Sequence, residues 1–343
     1  MKGKENKTNH WRLPAEWEPQ EGVQLTWPHA GTDWAPMLDE IIPVYQEMAR
    51  EIARRERLII VAPEDAARDR LRIVCPTNDT WARDHGFISL IDDDGHRRLL
   101  DFCFNGWGGK FEARLDNAIN RRLYDVGELE GEYVDCLNFV LEGGSIESDG
   151  KGTIFTTTSC LTAPHRNETL KKDEIEQRLM QYFNASRVIW IEHGSLTGDD
   201  TDGHIDTLVR ICPDDTLLYM GCDDPDDEQY GELQLMEQQL RTLQTTDGRP
   251  YRLMKLPMPR PIFDEGQRLP ATYANFLIIN GAVLCPTYGQ PGLDAEALRI
   301  IGEAFPDREI VGIDCRPVIC QHGSLHCCTM QFPLKIRKKR QDR

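Results

Sequence analysis

The chain has 343 residues, 40% hydrophobic and 28% charged, with 57 acidic against 40 basic side chains and a formal net charge of −17. That composition supports a globular core and excludes the basic face that phosphate recognition needs, so nucleic acid is not an expected partner. It suits a cationic ligand, although acidic charge also serves solubility alone.

No run reaches the roughly 18 apolar residues of a membrane span. The opening stays polar from Met1 to Trp11 and has no secretory pattern. The 11 cysteines are odd in number, and most stand in apolar, strand-like runs. A cytoplasmic protein with reduced thiols is expected, without a membrane partner.

Residues 1–10 read as a polar tail and 334–343 as a basic one. Between them, segment 37–55 places Leu38, Ile41, Ile42, Tyr45, Met48 and Ile52 at helical spacing. Segment 57–62 follows as a strand stopped at Pro63. Further strand-like runs occur at 87–91, 99–104, 153–157, 188–191, 205–211, 216–220, 276–285 and 310–313, with helical patterns near 167–183, 227–243 and 293–304. Helix and strand alternate, no Gly-, Ser- or Pro-rich linker intervenes, and no repeat is visible. One α/β domain over 11–333 is predicted.

Four segments set polar residues beside glycines at expected strand ends, where a rigid frame exposes side chains. Thr77-Asn-Asp-Thr-Trp-Ala-Arg-Asp-His-Gly86 gathers Asp79, Arg83, Asp84 and His85 around Trp81; alone it is equally a polar turn. Leu141-Glu-Gly-Gly-Ser-Ile-Glu-Ser-Asp-Gly150 puts Glu142 before two glycines, where backbone can approach closely; alone it is equally a hairpin. In Glu192-His-Gly-Ser-Leu-Thr-Gly-Asp-Asp-Thr-Asp-Gly-His-Ile-Asp206, period two on a strand from Ile205 puts His204 and Asp206 on one face. Asp199, Asp200 and Asp202 precede them. Four carboxylates so close call for a metal or a cationic substrate, unless the loop is simply solvated.

The fourth segment is Cys320-Gln-His-Gly-Ser-Leu-His-Cys-Cys-Thr-Met-Gln331. Cys320, His322, His326, Cys327 and Cys328 are all zinc-capable. The adjacent Cys327-Cys328 lacks the C-x2-C spacing of a structural site, so a thiol nucleophile paired with a distant histidine such as His204 fits better. No G-x-S-x-G, G-x-G-x-x-G or P-loop pattern occurs, which excludes the common serine hydrolases and nucleotide cofactors. Trp81 and Trp107 complete the set as aromatics for a pocket.

Trp81-Ala-Arg-Asp84, Glu142-Gly-Gly144, Gly198-Asp-Asp-Thr-Asp-Gly-His-Ile-Asp206 and His326-Cys327 occur in the order and spacing of agmatine deiminases and the related Porphyromonas-type peptidylarginine deiminases. Leu13-Pro-Ala-Glu-Trp-Glu-Pro-Gln20 and Trp27-Pro28 are similar to the start of those enzymes. The resemblance covers about residues 11–333. It implies an α/β pentein propeller, with five ββαβ-type modules around a central site. It implies Cys327 as nucleophile, His204 as general acid and base, Asp84 and Asp206 as guanidinium-binding carboxylates, and Glu142 as the group orienting His204. It also implies that Trp81 lines the substrate pocket, that no metal or cofactor is needed, and that the protein is a homodimer. The sequence departs from the family at His322-Gly-Ser-Leu325, where Gly-Gly-Asn-Ile is usual. It departs again at His85-Gly-Phe87 and at Cys328, the alternative nucleophile.

A guanidinium is planar and forked, and two carboxylates can grip it through paired charge-assisted hydrogen bonds. The expected reaction is therefore hydrolytic deimination through a covalent thiouronium on cysteine. Agmatine, giving N-carbamoylputrescine and ammonia, is the leading substrate, and Asp199, Asp200 or Asp202 could meet its second cation. Peptidylarginine or free arginine is the alternative within the family, and a Cys/His metal-binding protein is the alternative outside it.

Overall fold

A computed structural model describes residues 10–64, 66 and 72–334. All of the two expected tails except His10 and Leu334 lies outside the described residues. The fold is mixed α/β. Five sheets share one connectivity: a short strand, an antiparallel partner, then a crossover to a strand parallel with the second.

The second sheet runs Ile88–Ile91, Arg97–Cys103 and Glu132–Val140, the third Ile146–Ser148, Thr153–Thr157 and Arg187–Ile191. The fourth runs Val209–Cys212, Thr216–Met220 and Arg252–Leu256, the fifth Leu277–Ile279, Ala282–Thr287 and Glu309–Asp314. The first sheet joins the two ends of the chain. Gln20–Thr26 pairs antiparallel with Thr329–Pro333 and parallel with Arg57–Ala62, and Arg72–Val74 lies beyond. The sequence shows no repeat, yet this connectivity recurs, because it rests on the order of elements and not on shared side chains.

The crossover helices form where the periodicity predicts them. Leu38–Ala53 buries Ile41, Val44, Tyr45, Met48 and Ile52, a stripe at i, i+3, i+4, i+7 and i+11. Lys172–Phe183 starts later than 167 because Glu174 reaches back to the Lys171 backbone N–H at 2.8 Å, and it stops at Asn184 in the left-handed conformation. Tyr230–Leu240 and Pro291–Ala304 complete the set. The expected strand 276–285 is two strands, because Gly281 at φ +76° turns the chain between them. The expected strand 205–211 begins only at Val209, after a 3-10 turn over Ile205–Thr207. Among the described residues, no helix is long and apolar enough to cross a membrane.

Each first strand is preceded by a short irregular turn. These are Ala82–His85, Gly143–Ser145, Ile205–Thr207, the bend ending at Asn275, and His326–Cys328. Several of these turns pack directly on one another.

Candidate active site

The five turns deliver the polar side chains. Asp84 is buried, and its position is fixed by two donors: Trp107 Nε1 at 2.9 Å on Oδ2 and the Gly144 N–H at 3.1 Å on Oδ1. Trp107 holds its place with φ +56°, a strained value for a bulky residue. His204 Nδ1 stands 3.6 Å from Asp84 Oδ1. Gly144 is the point of closest approach. A Cβ there would lie 2.6 Å from His204 Nδ1, 3.0 Å from Asp84 Oδ1 and 3.1 Å from Asp206 Oδ2. His204, Asp84 and Asp206 therefore converge on one glycine. They do so from a turn and not, as period two predicted, from one face of a strand, since His204 and Asp206 flank the start of the 3-10 turn.

Burial alone would push the His204 imidazole down, but Asp84, Cys160 and Glu142 outweigh it and hold it well above its usual range. Burial dominates at Asp84 and pushes that carboxyl up to about 6, even though His204 pulls it down. Glu142, expected to orient His204, lies within 4.8 Å of it and of Cys160. Its hydrogen bond goes elsewhere, with Arg166 Nε donating to Oε1 at 2.9 Å between two fully buried side chains. Arg166 also binds Asp202 Oδ2 at 2.6 Å and the Thr201 carbonyl at 2.7 Å. Nothing local in the sequence marks Arg166, whose partners lie 24 to 36 residues away.

Arg166 also explains the acidic loop. Asp202 is neutralised by Arg166 and by Lys110, whose Nζ lies 2.8 Å from Oδ1. Asp199 caps the turn by accepting from Thr201 and Gly203 backbone N–H groups. Of the three acids proposed for the substrate's far end, Asp200 alone lines the cavity described below.

Asp206 is fully buried and is not among the residues that line the cavity described below. Its Oδ2 meets His326 Nδ1 at 2.7 Å, and its Oδ1 has no hydrogen-bond partner among the described residues. Burial would raise this carboxyl, but His326 holds it below its usual range. On its other edge, His326 Nε2 meets Glu16 Oε2 at 2.8 Å.

Cys327 is 3% exposed and lines a cavity of about 180 Å³. The cavity is also walled by Asp33, Asp79, Trp81, Asp84, Trp107 and Asp200. Asn275 Oδ1 accepts from the Cys327 N–H at 3.3 Å, the Cys327 thiol at 3.4 Å and the His326 N–H at 2.9 Å. Asn275 was not foreseen, although its place just ahead of the fifth sheet's first strand matches that of the four recognised segments. Burial, Asp206 and Asp84 push the Cys327 thiol well up. Cys328 is fully buried and bonds the Ser324 carbonyl at 3.4 Å. Both cysteines stand on the 3-10 turn His326–Cys328, and of the two only Cys327 is among the cavity's lining residues.

Trp81 donates to Asp79 Oδ2 at 3.0 Å, and its ring packs on Gly323, where a Cβ would lie 2.2 Å away. His322 takes φ +63°, a conformation that glycine adopts easily, and meets the Gly198 carbonyl at 2.7 Å. The zinc-capable residues of this segment do not share a centre. Among the described residues, the donor groups that could hold a metal are Glu142 with Cys160 and His204, and Glu16 with Glu147 and His326.

A sequence model of the Porphyromonas-type peptidyl-arginine deiminases matches residues 12–333. A solved structure from Porphyromonas gingivalis, given the provisional name arginine deiminase, is 52% identical with a TM-score of 0.89, covering 94% of this chain and 98% of that one. The agmatine deiminase of C. jejuni, solved as a C315S variant with substrate bound, is 36% identical with a TM-score of 0.89, covering 98% and 100%. The agmatine deiminase of Stutzerimonas stutzeri is 34% identical over 94% of this chain and 95% of its own. With the match running nearly from end to end at this level of identity, the chain belongs to the Porphyromonas-type peptidyl-arginine deiminase family.

Proposed function

We propose that this protein is a deiminase that hydrolyses agmatine to N-carbamoylputrescine and ammonia through a covalent thiouronium on Cys327. The observation that carries the substrate choice is the charge of the cavity. Asp33, Asp79, Asp84 and Asp200 line it, and no Lys or Arg is among its described lining residues. Agmatine is a dication without a carboxylate. Its guanidinium suits Asp84 and Asp206, and its far amine suits Asp200 and Asp33 near the mouth.

In this mechanism the guanidinium lies between the carboxylates with its carbon before Cys327 Sγ. Its positive charge offsets the carboxylates that hold the thiol protonated, so the thiol gives up its proton to solvent and the thiolate forms as substrate binds. Attack makes the C–S bond. His204 gives a proton to the departing nitrogen, and the C–N bond breaks to release ammonia. The same imidazole then takes a proton from water, the oxygen adds to the carbon, and the C–S bond breaks to free the ureido product. Glu142 acts from behind His204, fixed there by Arg166, and Trp81 and Trp107 wall the alkyl chain. Asp202 serves through its bonds to Lys110 and Arg166 and not by touching substrate. Residues 11–333 act as one domain, whose five sheets ring the site as a pentein propeller.

Arginine or peptidyl-arginine is a second reading, favoured by the 52% identity to the P. gingivalis protein. It would place a carboxylate or a peptide backbone among the mouth aspartates. Ammonia release from agmatine, arginine and a peptidyl-arginine, measured side by side with Cys327→Ala as control, separates the two. Turnover of agmatine alone, lost in the variant, is the expected result. Turnover of an arginine peptide instead overturns the substrate, and full activity of Cys327→Ala overturns the mechanism.

A further inference from the structure

Neighbouring residues on the central turns line different cavities. Asp84 and Cys327 line the one described above, whereas Arg83 and His326 line a second, of about 70 Å³, with Glu16, Gly143 and Glu147. The proposed guanidinium carboxylate Asp206 is thus backed by groups that cannot reach substrate.

That backing is tightly specified. Glu16 Oε2 meets His326 Nε2 at 2.8 Å and accepts from Arg210 Nη2 at 2.8 Å, and its Oε1 accepts from the Ile278 N–H at 2.8 Å. Arg210 is itself fixed by Glu147 Oε1 at 2.6 Å and the Ala274 carbonyl at 3.1 Å. Arg210 Nη2 is 3.3 Å from His326 Nε2, farther than Glu16, so the carboxylate and not the guanidinium is the ring's partner on that edge. The charged and titratable groups facing this set are Arg83, whose Nε lies 3.5 Å from the His326 carbonyl, together with Arg210, Glu147, Glu56 and Arg308. On the substrate side they are His204, Asp84 and Cys327. Arg210 and His326 hold Glu16 well below the usual carboxylate range, and His326 does the same for Asp206.

We infer that Glu16 and His326 are a positioning pair. They hold the Asp206 carboxylate from behind in the orientation that receives the guanidinium. The inference rests on the deiminase reading of the site. The contacts run from Glu16 through His326 to Asp206 Oδ2, the oxygen that converges with Asp84 and His204 on Gly144.

Glu16→Gln tests it, since it keeps the shape and removes the charge. In a Cys327→Ala background, which cannot turn over, agmatine binding followed by calorimetry should weaken about tenfold, the effect of a lost charge-assisted bond. The loss should be larger at pH 6 than at pH 8, because Asp206 then protonates more readily. In the enzyme with Cys327 intact, KM should rise more than kcat falls, and the acid limb of kcat/KM should move to higher pH. Unchanged affinity, or a fall in kcat with neither a KM change nor a shifted limb, overturns the inference. Should Glu16→Gln fail to fold, Glu16→Asp decides it by the same calorimetry: it keeps the charge and shortens the reach to His326, so weaker agmatine binding is expected, and unchanged affinity overturns the pair. If Cys327→Ala binds no agmatine and the wild type releases no ammonia, the deiminase reading itself fails; if both occur and the Glu16 variants bind and turn over agmatine as the wild type does, the inference alone fails.

Discussion

Gly144→Ala puts the geometry of the site under direct load. Gly144 does not have a left-handed φ, so alanine is permitted by its backbone and the effect is purely steric. The new Cβ would stand 2.6 Å from His204 Nδ1, whereas such atoms prefer about 3.5 Å. The imidazole must retreat by roughly 0.9 Å, or the turn must move and take the Gly144 N–H away from Asp84. Asp84 and Asp206, at 3.0 and 3.1 Å, block the easy routes of escape. A displacement of about 1 Å at reacting groups costs on the order of 100-fold, equivalent to about 2.7 kcal/mol of barrier. We expect kcat/KM for ammonia release from agmatine to fall by about that factor, while far-UV circular dichroism stays unchanged. Gly231→Ala is the matched control. A Cβ there meets nothing within 4 Å in helix Tyr230–Leu240, and alanine should stabilise the fold by up to about 1 kcal/mol with full activity. Turnover by Gly144→Ala within a few-fold of wild type would refute the convergence of His204, Asp84 and Asp206 on that glycine.

Arg166→Met leaves Glu142 as an uncompensated buried charge and should cost about 3–5 kcal/mol in urea unfolding, with part recovered on adding Glu142→Gln; no loss would show that the pair is not formed. Cys328→Ala should retain turnover and lose about 1 kcal/mol, because its thiol is fully buried and bonded to Ser324, and abolished turnover would reinstate it as the nucleophile. Burial pushes the Asp116 carboxyl up to about 8 and the Glu56 carboxyl up to about 7, so each keeps a proton in the folded protein that the unfolded chain loses near pH 4. Their contribution is complete below about pH 4 and is lost as pH rises through 7 to 8. The urea midpoint should therefore be higher at pH 6 than at pH 8.5, the gap should narrow in Asp116→Asn, and equal wild-type midpoints would contradict this. The acid limb of kcat/KM should fall near pH 6, where burial places the Asp84 carboxyl, and a flat profile down to pH 5 would separate Asp84 from guanidinium binding.

The sequence alone determined the elements and the reaction class. Helical stripes such as Ile41, Tyr45, Met48 and Ile52 are local patterns, and they formed helices within a few residues of the expected ends. The motifs around Asp84, Glu142, His204 and Cys327 were legible because short segments carry several polar residues beside glycines. The tertiary structure decided which of these residues meet and what they are paired with. Glu142 is held by Arg166, Asp202 by Lys110 and Arg166, Asp206 by His326, which Glu16 holds in turn, and Cys327 by Asn275. Most of these contacts bridge tens to hundreds of residues. A buried charge is tolerated only beside its partner, and the partner's place in the chain leaves no local trace, because any turn that reaches the centre can supply it.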